Sequence, residues 1–260
     1  MKLAQMSMAE RNACATLLGV ERPRFSLVVP VYNEQGNIAP MLDEIFEVLA
    51  SLQPFEVLFV DDSSTDSSLD FMRSWKENNS ADWLRIMKLE KNSGQSAAVL
   101  AGAQAAASSV IATLDGDMQN DPRDLVSMLS LVESGEADGV TGVRVSRRDT
   151  VVRKISSRVG NAVRNLLTGD QVRDAACGIK VIRRDIFLAA PRFNGMHRFM
   201  ATLARYAGAT IIEVPVNHRE RHSGMAKYGI GNRALRGLRD CLAMRWYRRR
   251  VIRPRVAEEF

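Results

Sequence analysis

The strongest constraint on this chain is a plan that repeats along its first half: a short apolar run, a polar or acidic tip, then apolar residues at helical spacing. "FSLVVPVYNE" opens with a run suited to a strand buried on both faces. Turn chemistry follows from Asn33 to Pro40, and "MLDEIFEVLASL" then places Met41, Ile45, Val48 and Leu49 on one helical stripe. "FEVLFVDDSSTDSS" repeats the plan, with Asp66 or Ser67 able to cap a helix that carries Leu69 and Met72. "WLRIMKLEKN" is a third predicted strand and "SGQSAAVLAGAQAAA" a third helix. "SSVIATLDGD" is a fourth strand, and Pro122 stands near the start of the helix "RDLVSMLSLVESG", closed by Gly135. "ADGVTGVR" is a fifth strand.

Strands and helices alternating at this spacing predict an α/β fold, a mainly parallel sheet with helices on both faces. Ligands in such sheets bind beyond the carboxyl ends of the strands. The unusual residues lie there: Asn33 and Glu34, Asp61 and Asp62, Asn92, then Asp115 and Asp117. The second half is less regular. Ile155, Val159, Ala162, Val163, Leu166 and Leu167 share a helical stripe ending at Gly169, with Arg153, Lys154, Arg158 and Arg164 off it. "CGIKVIRRDIF" and "ATIIEVPVNHRER" read as further strand-containing pieces. Asn232 could cap a last helix on which Leu235, Leu238 and Leu242 share a face.

The fourth strand carries the chemistry. In "VIATLDGDMQNDP" an apolar run ends in Asp115, Gly116 and Asp117, with Gln119 beyond. Acids are seldom fully buried without a partner, and two like charges so close repel unless something positive lies between them. A divalent metal answers that need; a surface turn with solvated acids is the alternative. Mg²⁺ or Mn²⁺ takes oxygen ligands and keeps waters and substrate phosphates, so one or two carboxylates and the Gln119 carbonyl suffice. Gly116 would let a nucleotide sugar lie close to the backbone. Asp61 and Asp62 could accept hydrogen bonds from a base edge or ribose, or could only cap a helix. Pro30, Tyr32, Asn33 and Glu34 add a ring and acceptors at the first strand end. Arg221, Gly224 and Lys227 in "RERHSGMAKYG" suit a phosphate clamp, or else a solvated basic loop. Arg144, Arg147 and Arg148 follow the fifth strand and could reach a phosphate. His197, His218 and His222 lack zinc-like spacing.

Bulk properties bound the rest. The 260 residues suit one large domain, with or without an appendage. Cys14, Cys177 and Cys241 are far apart and unpaired in sequence, which predicts reduced thiols in a cytoplasmic protein. No segment has the roughly 18 apolar residues that a transmembrane helix needs. The net charge of +6 is uneven: Arg219 to Arg255 holds twelve Lys and Arg against Glu220 and Asp240, leaving −4 for the remainder. The pI of about 9.5 raises a nucleic-acid-binding scaffold as a rival, but aromatics are only 6% and no stacking platform interleaves with the basic residues. A haloacid-type phosphohydrolase would place D-x-D after its first strand. A sugar-nucleotide nucleotidyltransferase would want a glycine-rich, lysine-containing loop where "PVYNEQGN" stands.

Together "VVPVYNE", "VDDSSTDSS", "NSGQSAAVLAG", "LDGDMQNDP", "CGIKVIRRD" and "EVPVNHRERHSGMAKYG" resemble family 2 glycosyltransferases of GT-A fold. The group resembled is the polyprenyl-phosphate glycosyltransferases, dolichyl-phosphate mannosyltransferase and its bacterial undecaprenyl-phosphate relatives. The match runs from about Phe25 to Asp240, in the family's order. Residues 1–22 lack the apolar run of a signal peptide and read as a loosely ordered leader or one short helix, ahead of an expected GT-A domain at 23–228 and a basic C-terminal helix and tail at 229–260. The resemblance implies that Pro30, Tyr32, Glu34 and Asp62 hold the donor nucleotide. Asp117 and Gln119, with Asp115, would hold Mg²⁺ or Mn²⁺. Arg144, Arg221 and Lys227 match basic positions near the donor diphosphate and the acceptor phosphate. Ala226 stands where the family pattern G-x-S-K has Ser, so one hydroxyl contact is lost. The C-terminal membrane helices of many bacterial relatives have no counterpart in the sequence.

The expected reaction is metal-dependent, inverting transfer of a sugar from a UDP- or GDP-linked donor to a polyprenyl phosphate; transfer to a sugar hydroxyl is the alternative acceptor chemistry. The acceptor phosphate is already ionised, so a strong general base is less necessary than for a hydroxyl. The basic C-terminal segment, with Leu235, Leu238, Leu242 and Trp246 beside its arginines, is expected at an anionic membrane surface on the cytoplasmic side, or against a membrane subunit.

Overall fold

A computed structural model describes residues 22–145, 151–220 and 230–252. Seven strands form one sheet: β1 (Ser26–Val31), β2 (Glu56–Asp61), β3 (Leu84–Lys88), β4 (Val110–Thr113), β5 (Gly139–Arg144), β6 (Lys180–Arg183) and β7 (Ile211–Val216). Their order is β3-β2-β1-β4-β6-β5-β7. All pairings are parallel except those of β6, which runs antiparallel between β4 and β5. The eight α-helices among the described residues are α1 (Gln35–Leu49), α2 (Ser68–Asn79), α3 (Gln95–Ala105), α4 (Asp124–Glu133), α5 (Val151–Thr168), α6 (Arg184–Ala189), α7 (Met200–Tyr206) and α8 (Ile230–Arg250).

The apolar runs become strands because both faces of the sheet are covered. On one face Leu27, Val29, Val57 and Phe59 pack with Ile38, Leu42 and Ile45 of α1, Met72 of α2 and Leu125 and Met128 of α4. On the other, Val28, Leu58, Val60 and Ile111 pack with Ala98, Val99 and Ala103 of α3, Leu203 of α7 and Cys241 and Met244 of α8. Gly102 of α3 sets the closest approach: a Cβ there would lie 2.4 Å from Val28 Cγ1, so this helix sits directly on the sheet. The strands β1 to β5 and the helices α1 to α4 fall where the alternating pattern predicts them; the pattern does not anticipate the helix at Met200–Tyr206. The parallel strands β1, β2 and β4 therefore bring their carboxyl ends to one edge.

The C-terminal helices depart from simple amphipathic expectation. Much of the apolar stripe of α5 faces outward, with Val159 58%, Val163 44% and Leu166 78% exposed, while Leu167 packs against the core. The buried side of α5 also holds a charge. Arg164 is 7% exposed, donates to Thr202 Oγ1 at 2.5 Å and stands over the Phe199 ring at 5.1 Å. Among the described side chains of α8, Cys241 and Met244 are buried, while Leu238, Leu242 and Trp246 are exposed. Asn232 does not cap α8, because the helix begins two residues earlier at Ile230. The predicted leader, residues 1–21, lies outside the described residues, as do Arg147, Arg148 and the basic loop 221–229 that holds Arg221, His222, Gly224, Ala226 and Lys227.

Candidate active site

A cavity of about 1040 Å³ opens at the carboxyl ends of the parallel strands. Its wall follows the sheet order: Asp62 after β2, then Pro30, Tyr32 and Glu34 at β1, Asp115, Gly116, Asp117 and Gln119 after β4, Lys180 on β6 and Arg144 on β5. Asn92 joins from the loop after β3, and Gln95 from the first turn of α3.

The two acids after β4 are held differently. Asp115 accepts a hydrogen bond from Gln95 Nε2 at 2.7 Å. Burial, and secondly the Asp117 carboxylate, push its carboxyl up to about 6; Lys180, Arg144 and the Gln95 amide pull the other way. Its space exists because residue 178 is glycine: a Cβ there would lie 2.0 Å from Asp115 Oδ2. Asp117 Oδ1 accepts from the Gln119 backbone N–H at 3.2 Å, across Met118 at φ 58°. The Gln119 amide donates to the Arg219 carbonyl at 3.4 Å, and the backbone of Arg219 returns a bond to the Gln119 carbonyl at 2.9 Å. The segment after β7 is thereby tied onto the segment after β4. Two crowded carboxylates beside an amide form an oxygen-rich donor set suited to a hard divalent cation that also keeps water or phosphate oxygens. Among the described residues no group of three or more His, Cys, Asp or Glu side chains converges, so such an ion would depend on its substrate to complete the shell.

Gly116 lines the cavity and also serves the fold. A Cβ there would lie 2.9 Å from the Pro30 carbonyl oxygen, so the glycine lets the ends of β1 and β4 approach each other. Arg144 is clamped by Asp174, Nε to Oδ2 at 2.7 Å and Nη2 to Oδ1 at 2.9 Å. Desolvation lowers the guanidinium pKa, but Asp174 outweighs it and the net shift is upward, so its positive charge at the cavity wall is permanent. Glu34 accepts from Asn37 Nδ2 at 2.6 Å, which orients it from the first turn of α1.

Two sequence candidates do not reach the cavity. Asp61 is fully buried and accepts from the Ser64 N–H at 3.2 and 3.3 Å, shaping the turn after β2. Asn33, at φ 51°, uses its amide on Thr65, accepting the backbone N–H at 2.7 Å. Both build the loop and neither lines the cavity. Asp62 does line it, yet its two oxygens accept from Ser93 and Gly94 N–H at 2.7 and 2.8 Å, fixing the loop that presents Asn92. Sequence reasoning passed over Gln95, Asp174, Gly178 and Lys180. Lys180 sits inside the quoted "CGIK" segment, but only strand pairing with Thr113 and Thr141 reveals that its charge acts on Asp115 through space. His197, which lacks zinc-like spacing, also lines the cavity.

Residues 26–189 match the family model described as glycosyl transferase family 2. The dodecaprenyl-phosphate galacturonate synthase of Rhizobium johnstonii is 36% identical over 239 residues, which covers 90% of this chain and 70% of that protein. The undecaprenyl-phosphate 4-deoxy-4-formamido-L-arabinose transferase of Serratia proteamaculans is 32% identical over 208 residues, or 80% of this chain; the chain spans 63% of that relative's length. The fold is shared with glucosyl-3-phosphoglycerate synthase of Mycobacterium tuberculosis, solved with Mn²⁺, uridine diphosphate and phosphoglyceric acid. The TM-score is 0.65 at 17% identity, covering 95% of this chain and 84% of that one. An α/β sheet with one antiparallel strand, a D-x-D tip beside a cavity, and relatives of this kind place the chain in glycosyl transferase family 2, as a glycosyltransferase of GT-A-like fold.

Proposed function

We propose that the protein transfers a sugar from a nucleoside-diphosphate donor to a polyprenyl phosphate. The observation that carries this reading is the Asp115–Asp117–Gln119 tip facing a cavity whose other walls are Tyr32, Glu34, Asp62 and Arg144. The named relatives supply the acceptor class. In this reading Tyr32, Glu34 and the loop fixed by Asp62 receive the nucleoside, and Asp117 and Gln119, with Asp115, hold Mg²⁺ or Mn²⁺. The ion, when bound, offsets negative charge on the departing diphosphate. The chain's own contribution is a fixed guanidinium: Arg144, already oriented by Asp174, needs no reorganisation as charge develops. Arg221 and Lys227, which the resemblance assigns to the same phosphates, lie outside the described residues. No cavity residue has to take a proton from an ionised phosphate nucleophile, so one displacement with inversion suffices.

The exposed apolar side chains of α8 and α5 support a membrane-surface acceptor. Leu238, Leu242, Trp246, Val159, Val163 and Leu166 lie on two helices that pack against each other, and Arg239, Arg245 and Arg248 to Arg250 stand among them. Among the described residues no helix is long and apolar enough to cross a bilayer.

The test is thermal stabilisation by UDP- and GDP-sugars with Mn²⁺, then transfer to a short polyprenyl phosphate. A donor that stabilises and is consumed only when the lipid phosphate is present supports the reading. Turnover with a sugar hydroxyl acceptor and none with the lipid phosphate would overturn the acceptor half of it.

A further inference from the structure

The tip after β4 is gripped from outside the cavity by one residue of the segment that follows β7. Arg219 makes three bonds to residues 119–121. Its N–H donates to the Gln119 carbonyl at 2.9 Å, its carbonyl accepts from Gln119 Nε2 at 3.4 Å, and its Nη2 meets Asp121 Oδ2 at 2.6 Å. A fourth bond leaves the tip: Nη1 donates to the Glu44 carboxylate at 2.8 Å, on α1, whose Leu42 and Ile45 are core residues. Neither Arg219 nor Asp121 nor Glu44 lines the cavity, and the reading above gives none of them a task.

The two ends of the Gln119 amide differ: the oxygen accepts and the nitrogen only donates. Only the oxygen can serve a cation. A main-chain carbonyl likewise only accepts, so the Arg219 carbonyl takes the nitrogen end of the amide and leaves Oε1 for the cavity that Gln119 lines. That bond is long, and it depends on where the Arg219 main chain is held. The guanidinium does the holding, since its planar fork spans two carboxylates on two different elements, Glu44 on α1 and Asp121 in the tip.

A second arginine provides an internal comparison. Arg123 bridges the same two acids, Nη1 to Glu44 Oε1 at 3.0 Å and to Asp121 Oδ1 at 3.5 Å, but among the described residues it has no bond to Gln119. The two arginines share their carboxylates and differ in whether their own main chain touches the amide. Backbone ties also join the two segments without either guanidinium. Asn120 pairs with His218, and Asp124 Oδ2 accepts the Asn217 N–H at 2.8 Å. Removing the Arg219 side chain therefore loosens the amide's support and leaves the segments docked.

We propose that Arg219 is a positioning residue for the metal-dependent step: its guanidinium anchors its own carbonyl against the Gln119 amide, so that Oε1 faces the cation. The inference rests on the glycosyl-transfer reading above and adds a residue that lies off the cavity wall.

The experiment measures Mn²⁺ binding by electron paramagnetic resonance of the free ion, at saturating UDP and separately at saturating GDP, alongside unfolding curves and kcat/KM. Arg219→Met is expected to weaken Mn²⁺ binding about 10-fold, since partners that orient a metal ligand are worth about 10- to 100-fold in affinity. Arg123→Met should stay within about 2-fold of the unaltered protein, because it breaks bridges to the same acids and spares the amide. In a Gln119→Ala background the effect of Arg219→Met should vanish, which a general brace would not produce. If Arg219→Met fails to fold, Arg219→Lys carries the test: it keeps the charge, lacks the fork, and should lose about 3-fold in Mn²⁺ affinity only while Gln119 is present. Unchanged Mn²⁺ binding in the Arg219 variants, an equal loss in Arg123→Met, or an equal loss in both Gln119 backgrounds would overturn this inference and leave the glycosyltransferase reading standing. No Mn²⁺ or nucleotide bound by the unaltered protein would sink both.

Discussion

The ends of β2 and β4 look alike in sequence, each an apolar run closing on a pair of aspartates, and they do opposite work. At β2, Asp61 and Asp62 are 0% and 3% exposed and spend their oxygens on backbone N–H groups of Ser64, Ser93 and Gly94. At β4, Asp115 and Asp117 are partly exposed, one holding a single side-chain amide and the other its own turn. A carboxylate whose oxygens accept from loop N–H groups is a brace; two carboxylates crowded at a cavity wall are a place for a cation. The difference comes from spacing. Adjacent residues at the strand end point to opposite sides and are absorbed by two different loops. With Gly116 between them, Asp117 stays close enough to Asp115 to raise the proton affinity of the Asp115 carboxyl.

The sharpest way to break this comparison is to neutralise one acid at each tip. Asp117→Asn should lower metal-dependent turnover by about 1,000-fold with an unchanged melting curve; a loss of less than about 10-fold would make β4 another brace. Gly178→Ala should come next. Its methyl would occupy the place of the Asp115 carboxylate, and a fall in kcat of about 100-fold is expected, with more of the loss in Mn²⁺ affinity than in thermal stability. At β2 the order reverses: Asp62→Ala should cost about 2–3 kcal/mol in denaturant unfolding, since two loop N–H groups lose their acceptor.

The wall beyond Asp115 supplies a pH test of burial. His197 is held near 3 in the folded protein against an ordinary value of 6.5, so between those values the unfolded chain binds more protons. Its contribution is complete above 6.5 and is lost as pH falls toward 3. The histidine should account for about 2 kcal/mol of destabilisation on going from about pH 7 to about pH 5. His197→Gln removes that share, and equal pH slopes in the two proteins would show the ring to be solvated. The smallest effect on stability is expected at the membrane face. Leu242→Ser with Trp246→Ser should change unfolding by under about 0.5 kcal/mol per site while weakening salt-sensitive binding to anionic liposomes several-fold. Undiminished liposome binding would remove α8 from the membrane reading.

The first five strands and the helices among them were legible because each obeys a local rule: apolar runs of strand length, helical stripes, turn residues between. The D-x-D tip was legible for the same reason, since acids closing a buried strand are costly wherever that strand lies. What stayed hidden depends on neighbours distant in sequence. Lys180 looks like one more basic residue until β6 inserts antiparallel between β4 and β5. Asp174 acquires meaning only from Arg144, 30 residues away. The stripe on α5 could be read, but not its direction, because periodicity marks one side of a helix as apolar without saying what covers it. Thr202 and Phe199 turn Arg164 inward, and much of the apolar side is left outside.

By itself, then, the sequence determined the alternation of strands and helices and the acidic tip of β4, both consequences of short-range patterning. Tertiary structure decided which acids brace and which can bind, and assembled the cationic wall. Those outcomes depend on burial and on through-space charge, and only the folded chain sets the distances for either.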